Sequence, residues 1–207
     1  MIRTITEGST AEFTVQRSRF IACTAPVKTE EEAQAFLTAQ KKKYYDARHH
    51  CSAWILGRDG AKQKASDDGE PSGTAGAPIL DILKHGGFTD SIIVVTRYFG
   101  GIKLGTGGLT RAYGHAAQLG IEAAKTAKVM TMERVTVRIA YPLLGAVENE
   151  LRQSGIRIED SSYAEDVTLT LLLTEEQQAP FRQELADLTA GQAELTEDGM
   201  QEVLLPE

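Results

Sequence analysis

The sequence predicts an α+β protein of two domains, and three observations support that prediction. Strand-like and helix-like patterns alternate along the whole chain of 207 residues. The rhythm changes near residue 130, after which the predicted elements run β-α-β-β-α-β. The charge changes at the same place, because residues 1–132 carry a net charge of +4 and residues 133–207 carry −11. We therefore expect one domain over residues 1–132 and a second over residues 133–207.

Short elements are predicted through most of the first half. Thr29, with Glu32 three residues later, forms a capping box that marks the start of a helix. The basic run at residues 41–43 suits the C-terminal end of that helix, where cations complement the helix dipole; a binding patch is the alternative. The other predicted elements are strands at 12–17, 19–24, 50–56 and 62–65, a polar loop at 66–76, and a helix at 77–85.

The glycine-rich segment after residue 96 carries the main functional prediction. The β-branched run at 92–95 predicts a strand buried on both faces, and a long helix is expected from about Leu109 to Thr126. Ligands often bind where such a strand ends, and a helix start offers unpaired N–H groups to anions. A tight turn with solvated arginines is the alternative. The predicted phosphate- or nucleic-acid-binding residues are Arg97, Tyr98, Gly100, Gly101, Lys103, Gly105, Thr106, Gly107, Gly108, Arg111 and His115.

Aromatic residues adjoin this segment. Tyr98 and Phe99 are candidates for base stacking, since every base presents a π-face to an aromatic ring. For Phe99 we expect packing in the core at the strand end instead.

The acidic loop, residues 66–76, contains Asp67, Asp68 and Glu70. Three carboxylates in four residues suit a hard cation, but Asp-Gly and Glu-Pro also build a solvated turn. We expect these carboxylates to order the loop or to hold a cation beside the glycine-rich segment. No transition-metal site is expected, because histidine and cysteine ligands are not grouped for one; His49 and His50 would face opposite sides of a strand.

The remaining composition favours a soluble, cytoplasmic protein without membrane contact. No apolar run approaches the roughly 18 residues of a membrane span, and the N-terminus has no apolar region typical of a signal peptide. Cys23 and Cys51 are expected to be free, buried thiols.

The second half is predicted to follow the ferredoxin-like plan, with two helices between four strands. Its alternating strand residues begin at Val135, and a second capping box at Thr174 and Gln177 marks its second helix.

Three segments together resemble the YigZ/Impact family. They are SDDGEPSGTAG at 66–76, IVVTRYFGGIKLGTGGL at 93–109, and RAYG at 111–114. Their order and spacing match the family, and the resemblance covers about residues 15–125. The second half resembles the small C-terminal domain of the bacterial members.

This resemblance implies a left-handed βαβ fold for the first half, shared with a small-subunit ribosomal protein domain and with the fourth domain of the translocation elongation factor. The factor also places a ferredoxin-like domain next to it. Eukaryotic Impact proteins regulate translation through an extra N-terminal domain that is absent from these residues, so their partner does not carry over. The bacterial members look like RNA or ribosome binders, which implies RNA, the ribosome or a protein of the translation machinery as the partner.

Two functions remain open. The first is a non-enzymatic protein that binds RNA or the ribosome without a cofactor and regulates translation. The second is a small-molecule phosphotransferase or another nucleotide-binding enzyme that uses the glycine-rich loop, since a related kinase superfamily joins the same two folds. Against the enzyme, residues 105–108 are not followed by the Lys-Ser of a complete Walker loop, and no catalytic base stands out.

Overall fold

The computed structural model describes all 207 residues as ten strands and five α-helices arranged around two sheets. The chain forms two compact units. The first contains Met1–Val129 and Leu204–Glu207, and the second contains Met130–Val203. The protein is α+β, as predicted.

The first unit is built on a sheet of five strands in the order β2-β3-β6-β4-β5, with antiparallel pairing throughout. The central strand is β6, and its residues Ile92, Ile93, Val94 and Val95 are completely buried. The predicted strand with two buried faces is therefore confirmed. The strands are β2 (Thr10–Val15), β3 (Ser18–Pro26), β4 (His49–Leu56), β5 (Lys62–Ser66) and β6 (Ser91–Tyr98).

Helices cover both faces of this sheet because alternate residues of each strand point to opposite sides. Helix α1 (Glu30–Lys43) packs on the face that carries Ile92 and Val94. Helices α2 (Gly76–His85) and α3 (Gly105–Ala123) pack on the face that carries Ile93 and Val95. The backbone N–H of Glu32 donates to the Thr29 hydroxyl over 3.1 Å, so the predicted start of α1 is confirmed.

Two long-range strands escaped the sequence prediction. Strand β1 (Ile2–Glu7) pairs antiparallel with the first part of β7 (Lys125–Ile139). Helix α3 therefore ends at Ala123, before the predicted Thr126, and the residues near 129–133 lie in a continuous strand. A strand whose partner lies more than a hundred residues away leaves no local sequence signal.

The second unit has the predicted β-α-β-β-α-β order. Its strands adjoin one another in the order β10-β7-β9-β8, and β6 and β7 belong to different sheets. Val135, Val137 and Leu169 are completely buried in its core. After β7 come α4 (Leu144–Gln153), β8 (Arg157–Tyr163), β9 (Val167–Leu173), α5 (Glu175–Thr189) and β10 (Glu194–Pro206).

Two sequence expectations about the whole chain have structural counterparts. Cys23 and Cys51 are both buried and form no disulfide, as predicted. None of the helices combines the length and the apolar composition that a bilayer crossing requires.

Candidate functional site

Helix α3 begins inside the glycine-rich segment, at Gly105 rather than at Leu109. Residues 105–108 are thus its first turn, and the preceding chain turns sharply at Gly101 and Gly105, whose φ angles are +87° and +70°. The residue before the helix is Leu104, which has no side chain able to cap it. The first backbone N–H groups of α3 therefore have no partner within the chain, the arrangement that binds anions at helix ends.

Exposed cations surround this helix start. Lys103 directly precedes the cap position, and Arg111 lies two turns into the helix. The Arg111 guanidinium reaches back over the first turn, since a Cβ added to Gly107 would lie 3.5 Å from its Nη1. Both side chains are exposed and neither makes an ion pair.

A third cation, Arg17, comes from the turn between β2 and β3, where Gln16 and Arg17 have φ angles of 45° and 63°. Gly100 packs directly on this turn: a Cβ there would lie 2.0 Å from the Arg17 carbonyl carbon. Gly100 is therefore required for close approach of two backbone segments. Sequence reasoning missed Arg17 because it lies some eighty residues from the glycines, and only the fold brings them together.

A groove of about 280 Å³ lies between β2 and α3, beside the helix start. Its apolar wall includes Phe13, Val15 and Leu104. The ring of His115 meets Phe13 edge-on with a centroid distance of 4.7 Å. We call this the β2–α3 groove, and its lining residues are Phe13, Val15, Gln16, Leu104, Gly108, Arg111, Ala112 and His115.

Arg97 does not lie on this surface, which corrects the sequence prediction. Its side chain is buried, and its Nη1 donates to Oε1 of Glu70 over 2.8 Å. The Tyr113 hydroxyl donates to the same oxygen over 2.6 Å. Burial raises the pKa of Tyr113, so the hydroxyl keeps its proton and remains a donor. Arg97 thus ties the glycine-rich segment to the acidic loop from the interior, through an ion pair rather than a phosphate contact.

Arg97 is further held by its neighbours. Its Nη2 donates to the Ser18 hydroxyl, which also accepts the backbone N–H of Gly100, both over 3.3 Å. Its Nε has no hydrogen-bond partner. The buried guanidinium therefore supports the turn that carries Gly100.

The two aromatic candidates differ in exposure. Phe99 is 53% exposed, so the expectation that it packs in the core is wrong. Its ring lies beside the Arg97 guanidinium, 5.5 Å from centroid to carbon. Tyr98 is half-buried and its hydroxyl donates to Asp46 over 2.7 Å. Burial and this hydrogen bond raise the pKa of Tyr98 to about 12. Phe99, and not Tyr98, therefore offers an open ring face.

The acidic loop is held together by its own carboxylates. Asp67 accepts the backbone N–H groups of Gly73, Ala75 and Gly76 over 2.9–3.1 Å, and so binds the first N–H group of α2 and two that precede it. Burial raises the pKa of Asp67, but the three N–H donors outweigh that effect and hold the pKa below its usual value. Of the two predicted roles for this loop, the structure supports the ordering of the backbone.

The other carboxylates of the loop are also engaged. Asp68 accepts the backbone N–H of His50 over 2.8 Å and the Lys41 ammonium over 3.1 Å. Burial raises the pKa of Asp68, but these contacts outweigh that effect and hold the pKa below its usual value. Glu70 is occupied by Arg97 and Tyr113. No group of three or more histidine, cysteine, aspartate or glutamate side chains in the chain is arranged to hold a metal ion.

The two histidines of β4 bond to backbone carbonyl groups. His49 shares a hydrogen bond with the carbonyl of Asp68, and His50 with the carbonyl of Tyr44, each over 2.9 Å. Both are thus backbone partners that steady the loops around them.

The structure thus brings together one part of the predicted site and separates another. Lys103, residues 105–108 and Arg111 lie around the start of α3. His115 lines the neighbouring β2–α3 groove, and Arg17 lies in the turn that packs on Gly100. Arg97, Asp67, Asp68 and Glu70 instead form the interior support of the turns.

Comparison with known proteins places this arrangement in a family. The model of the Impact N-terminal domain matches residues 16–121, and a domain of unknown function, DUF1949, matches residues 137–192. The chain is 41% identical over 194 residues to the IMPACT family member YvyE of Bacillus subtilis, covering 94% of this chain and 89% of that protein. It is 38% identical over 183 residues to the IMPACT family member YigZ of Escherichia coli, covering 87% and 90%. The chain belongs to the IMPACT family, as its motifs predicted.

A solved structure shares this architecture. A crystal structure described as that of a hypothetical protein is 36% identical, with a TM-score of 0.60, and the match covers 94% of this chain and 95% of that one. The IMPACT homolog of Saccharomyces cerevisiae is 38% identical over 106 residues, covering 48% of this chain and 40% of that protein.

Proposed function

We propose that this protein is a non-enzymatic binder of RNA or of the ribosome, and that it regulates translation through the start of α3. One observation carries the proposal: the exposed cations Lys103 and Arg111 flank an uncapped helix N-terminus, and a third exposed cation, Arg17, lies in the turn that packs on Gly100. None of the three forms an ion pair. We call these elements the α3 anion surface. Free N–H groups and unpaired cations both favour a phosphate over solvent.

Three other arginines of the same unit, in contrast, form ion pairs. Arg3 pairs with Glu207, Arg19 with Glu12 and Arg97 with Glu70, each within 2.8 Å. Cations without an acidic partner beside a positive helix end are free to bind an anion from solution.

Binding is favoured over phosphoryl transfer by the state of the nearby carboxylates. A catalytic base must reach the group that it deprotonates. Asp67 and Asp68 are bonded to backbone N–H groups, and Glu70 is buried under Arg97 and Tyr113. The carboxylates that the sequence singled out are therefore used for structure.

The translational context comes from the family and from the finer fold. We infer that the first unit has the left-handed βαβ fold of the ribosomal-protein and elongation-factor type, and that the second is ferredoxin-like. The strand order β10-β7-β9-β8, with α4 and α5 in the connections, supports the second assignment.

The test is RNA binding over a salt series. In the surface variant, Arg17→Asn, Lys103→Gln and Arg111→Gln are combined; asparagine is chosen at position 17 because it tolerates positive φ. The control variant combines Lys42→Gln, Lys64→Gln and Lys84→Gln, which removes the same charge from exposed sites elsewhere on the unit.

The surface variant is expected to bind RNA more weakly, and its salt slope is expected to fall by about one for each phosphate that the protein no longer neutralises. The control variant is expected to keep the wild-type slope. Equal slopes for the wild type and a folded surface variant would contradict the proposal.

A further inference from the structure

We infer that the β2–α3 groove takes an unstacked base, so that the nucleic acid recognised by this protein is single-stranded. The inference rests on the proposed function, since it concerns the same RNA. The groove shares Gly108 and Arg111 with the α3 anion surface, which places it beside the proposed phosphate position.

The volume of the groove suits a single base better than a whole ligand. Its volume of about 280 Å³ lies just below the range of sites that enclose whole small ligands, roughly 300–1,000 Å³. A base attached to a backbone that stays outside needs only such a slot. Stacked bases inside a double helix cannot enter it, because recognition of a duplex is confined to its grooves and backbone.

The walls of the groove are apolar and braced. The ring of Phe13 stacks on Phe20 with a centroid distance of 5.2 Å, and the ring of His115 meets it edge-on. Phe20 is itself completely buried. The wall is thus fixed before any ligand arrives, which lowers the ordering cost of binding.

The rim of the groove selects the ligand by charge and by hydrogen bonding. Arg111 and His115 are its ionisable groups, and no carboxylate lines it. Gln16, in the left-handed turn that precedes Arg17, carries an amide that can both donate to and accept from a base edge. An apolar slot with a cationic rim and one amide complements a base joined to a phosphate.

The experiment compares three probes of equal phosphate number: a short single-stranded RNA, the same RNA with its bases removed, and a duplex. Wild-type protein is expected to bind the base-bearing single strand about tenfold or more tighter than the abasic strand, since stacking of one base contributes that much. The duplex is expected to bind like the abasic strand.

The variants separate the groove from the cations. Leu104→Ala opens the wall while it keeps Arg17, Lys103, Arg111 and His115. Gln118→Ala is the matched control, because Gln118 lies on the exposed face of α3 outside the groove. The groove variant is expected to lose the preference for base-bearing RNA and to keep the wild-type salt slope, and the control is expected to change neither.

Three results would overturn the inference. Equal binding of base-bearing and abasic strands, with a normal salt slope, would leave phosphate binding intact and remove the base site. A preference that persists in the groove variant would place the base elsewhere. Adenosine monophosphate that binds as tightly as the strand would make the occupant a free nucleotide.

Discussion

The N-termini of α2 and α3 lie on the same side of one sheet, yet their backbone N–H groups have opposite surroundings. At α2, the Asp67 carboxylate accepts three backbone N–H groups at the helix start and just before it. At α3, the cap position is Leu104, and the nearby charges are the cations Arg17, Lys103 and Arg111. The acidic motif thus supplies an acceptor for the start of α2 from the chain itself, whereas the glycine-rich motif leaves the start of α3 without one.

The largest loss of stability is expected when the buried contacts among Glu70, Arg97 and Tyr113 are broken. Glu70→Ala leaves the Arg97 guanidinium buried without a counter-charge and the Tyr113 hydroxyl without its acceptor. We expect the free energy of unfolding to fall by about 3–5 kcal/mol, measured by urea denaturation. Glu122→Ala, on the exposed face of α3, is the control and is expected to stay within about 0.5 kcal/mol of the wild type. A Glu70 variant as stable as this control would mean that the acidic loop is not structural.

The cap of α2 gives the next effect. Asp67→Ala removes the acceptor of three N–H groups, and we expect the free energy of unfolding to fall by about 2 kcal/mol. Asp81→Ala, an exposed change on the same helix, serves as the control. If both variants lower the free energy of unfolding by the same small amount, Asp67 does not stabilise the start of α2, and the contrast between the two helix ends fails.

The same cap predicts a dependence on pH. The pKa of Asp67 is lower in the folded protein than its unfolded value of about 3.9, so its stabilising effect is complete above about pH 4. It is lost as the pH falls from there through the folded pKa, because over that range the unfolded state binds a proton that the folded state does not. The stability difference between wild type and Asp67→Asn is therefore expected to shrink below about pH 4. Urea titrations of both proteins across the acid range would test this, and a constant difference would contradict it.

The smallest change in stability is expected for a substitution at the start of α3, which should stabilise the protein slightly and weaken RNA binding. Thr106→Glu places a carboxylate in the first turn of α3, beside its unpaired N–H groups and the α3 anion surface. We expect stability to rise by about 0.3–1 kcal/mol, because the helix end gains an acidic partner. RNA affinity is expected to fall in the same variant. Thr106→Gln is the neutral control. If Thr106→Glu binds RNA as tightly as Thr106→Gln, the start of α3 is not the RNA-binding site.

Much of this comparison could be predicted from local sequence. The strand at 92–95, the cap at Thr29 and the order of elements after residue 133 depend on patterns a few residues long, and those predictions agree with the structure. The sequence also predicts a helix after the glycine-rich segment, and the structure has α3 there. The helix begins four residues earlier than predicted, because glycine content alone assigns residues 105–108 to a loop.

The errors concern residues whose role depends on distant partners. Arg97 was expected to be exposed because it ends a strand, but Glu70 and Tyr113 meet it in the interior from other elements. Phe99, which follows it, is exposed instead. Arg17 enters the α3 anion surface only because Gly100 packs against its backbone. No short pattern in the sequence contains such long-range pairs.

The most direct test of the difference between the two helix ends follows backbone amides by NMR while a single-stranded RNA is added. We expect the amide signals of residues 105–108 to shift in a saturable, salt-sensitive way. The signals of Gly73, Ala75 and Gly76 should stay in place, since Asp67 already occupies them. Shifts at the α2 amides, or binding that leaves residues 105–108 unchanged, would contradict the claim that α3 presents the open anion site.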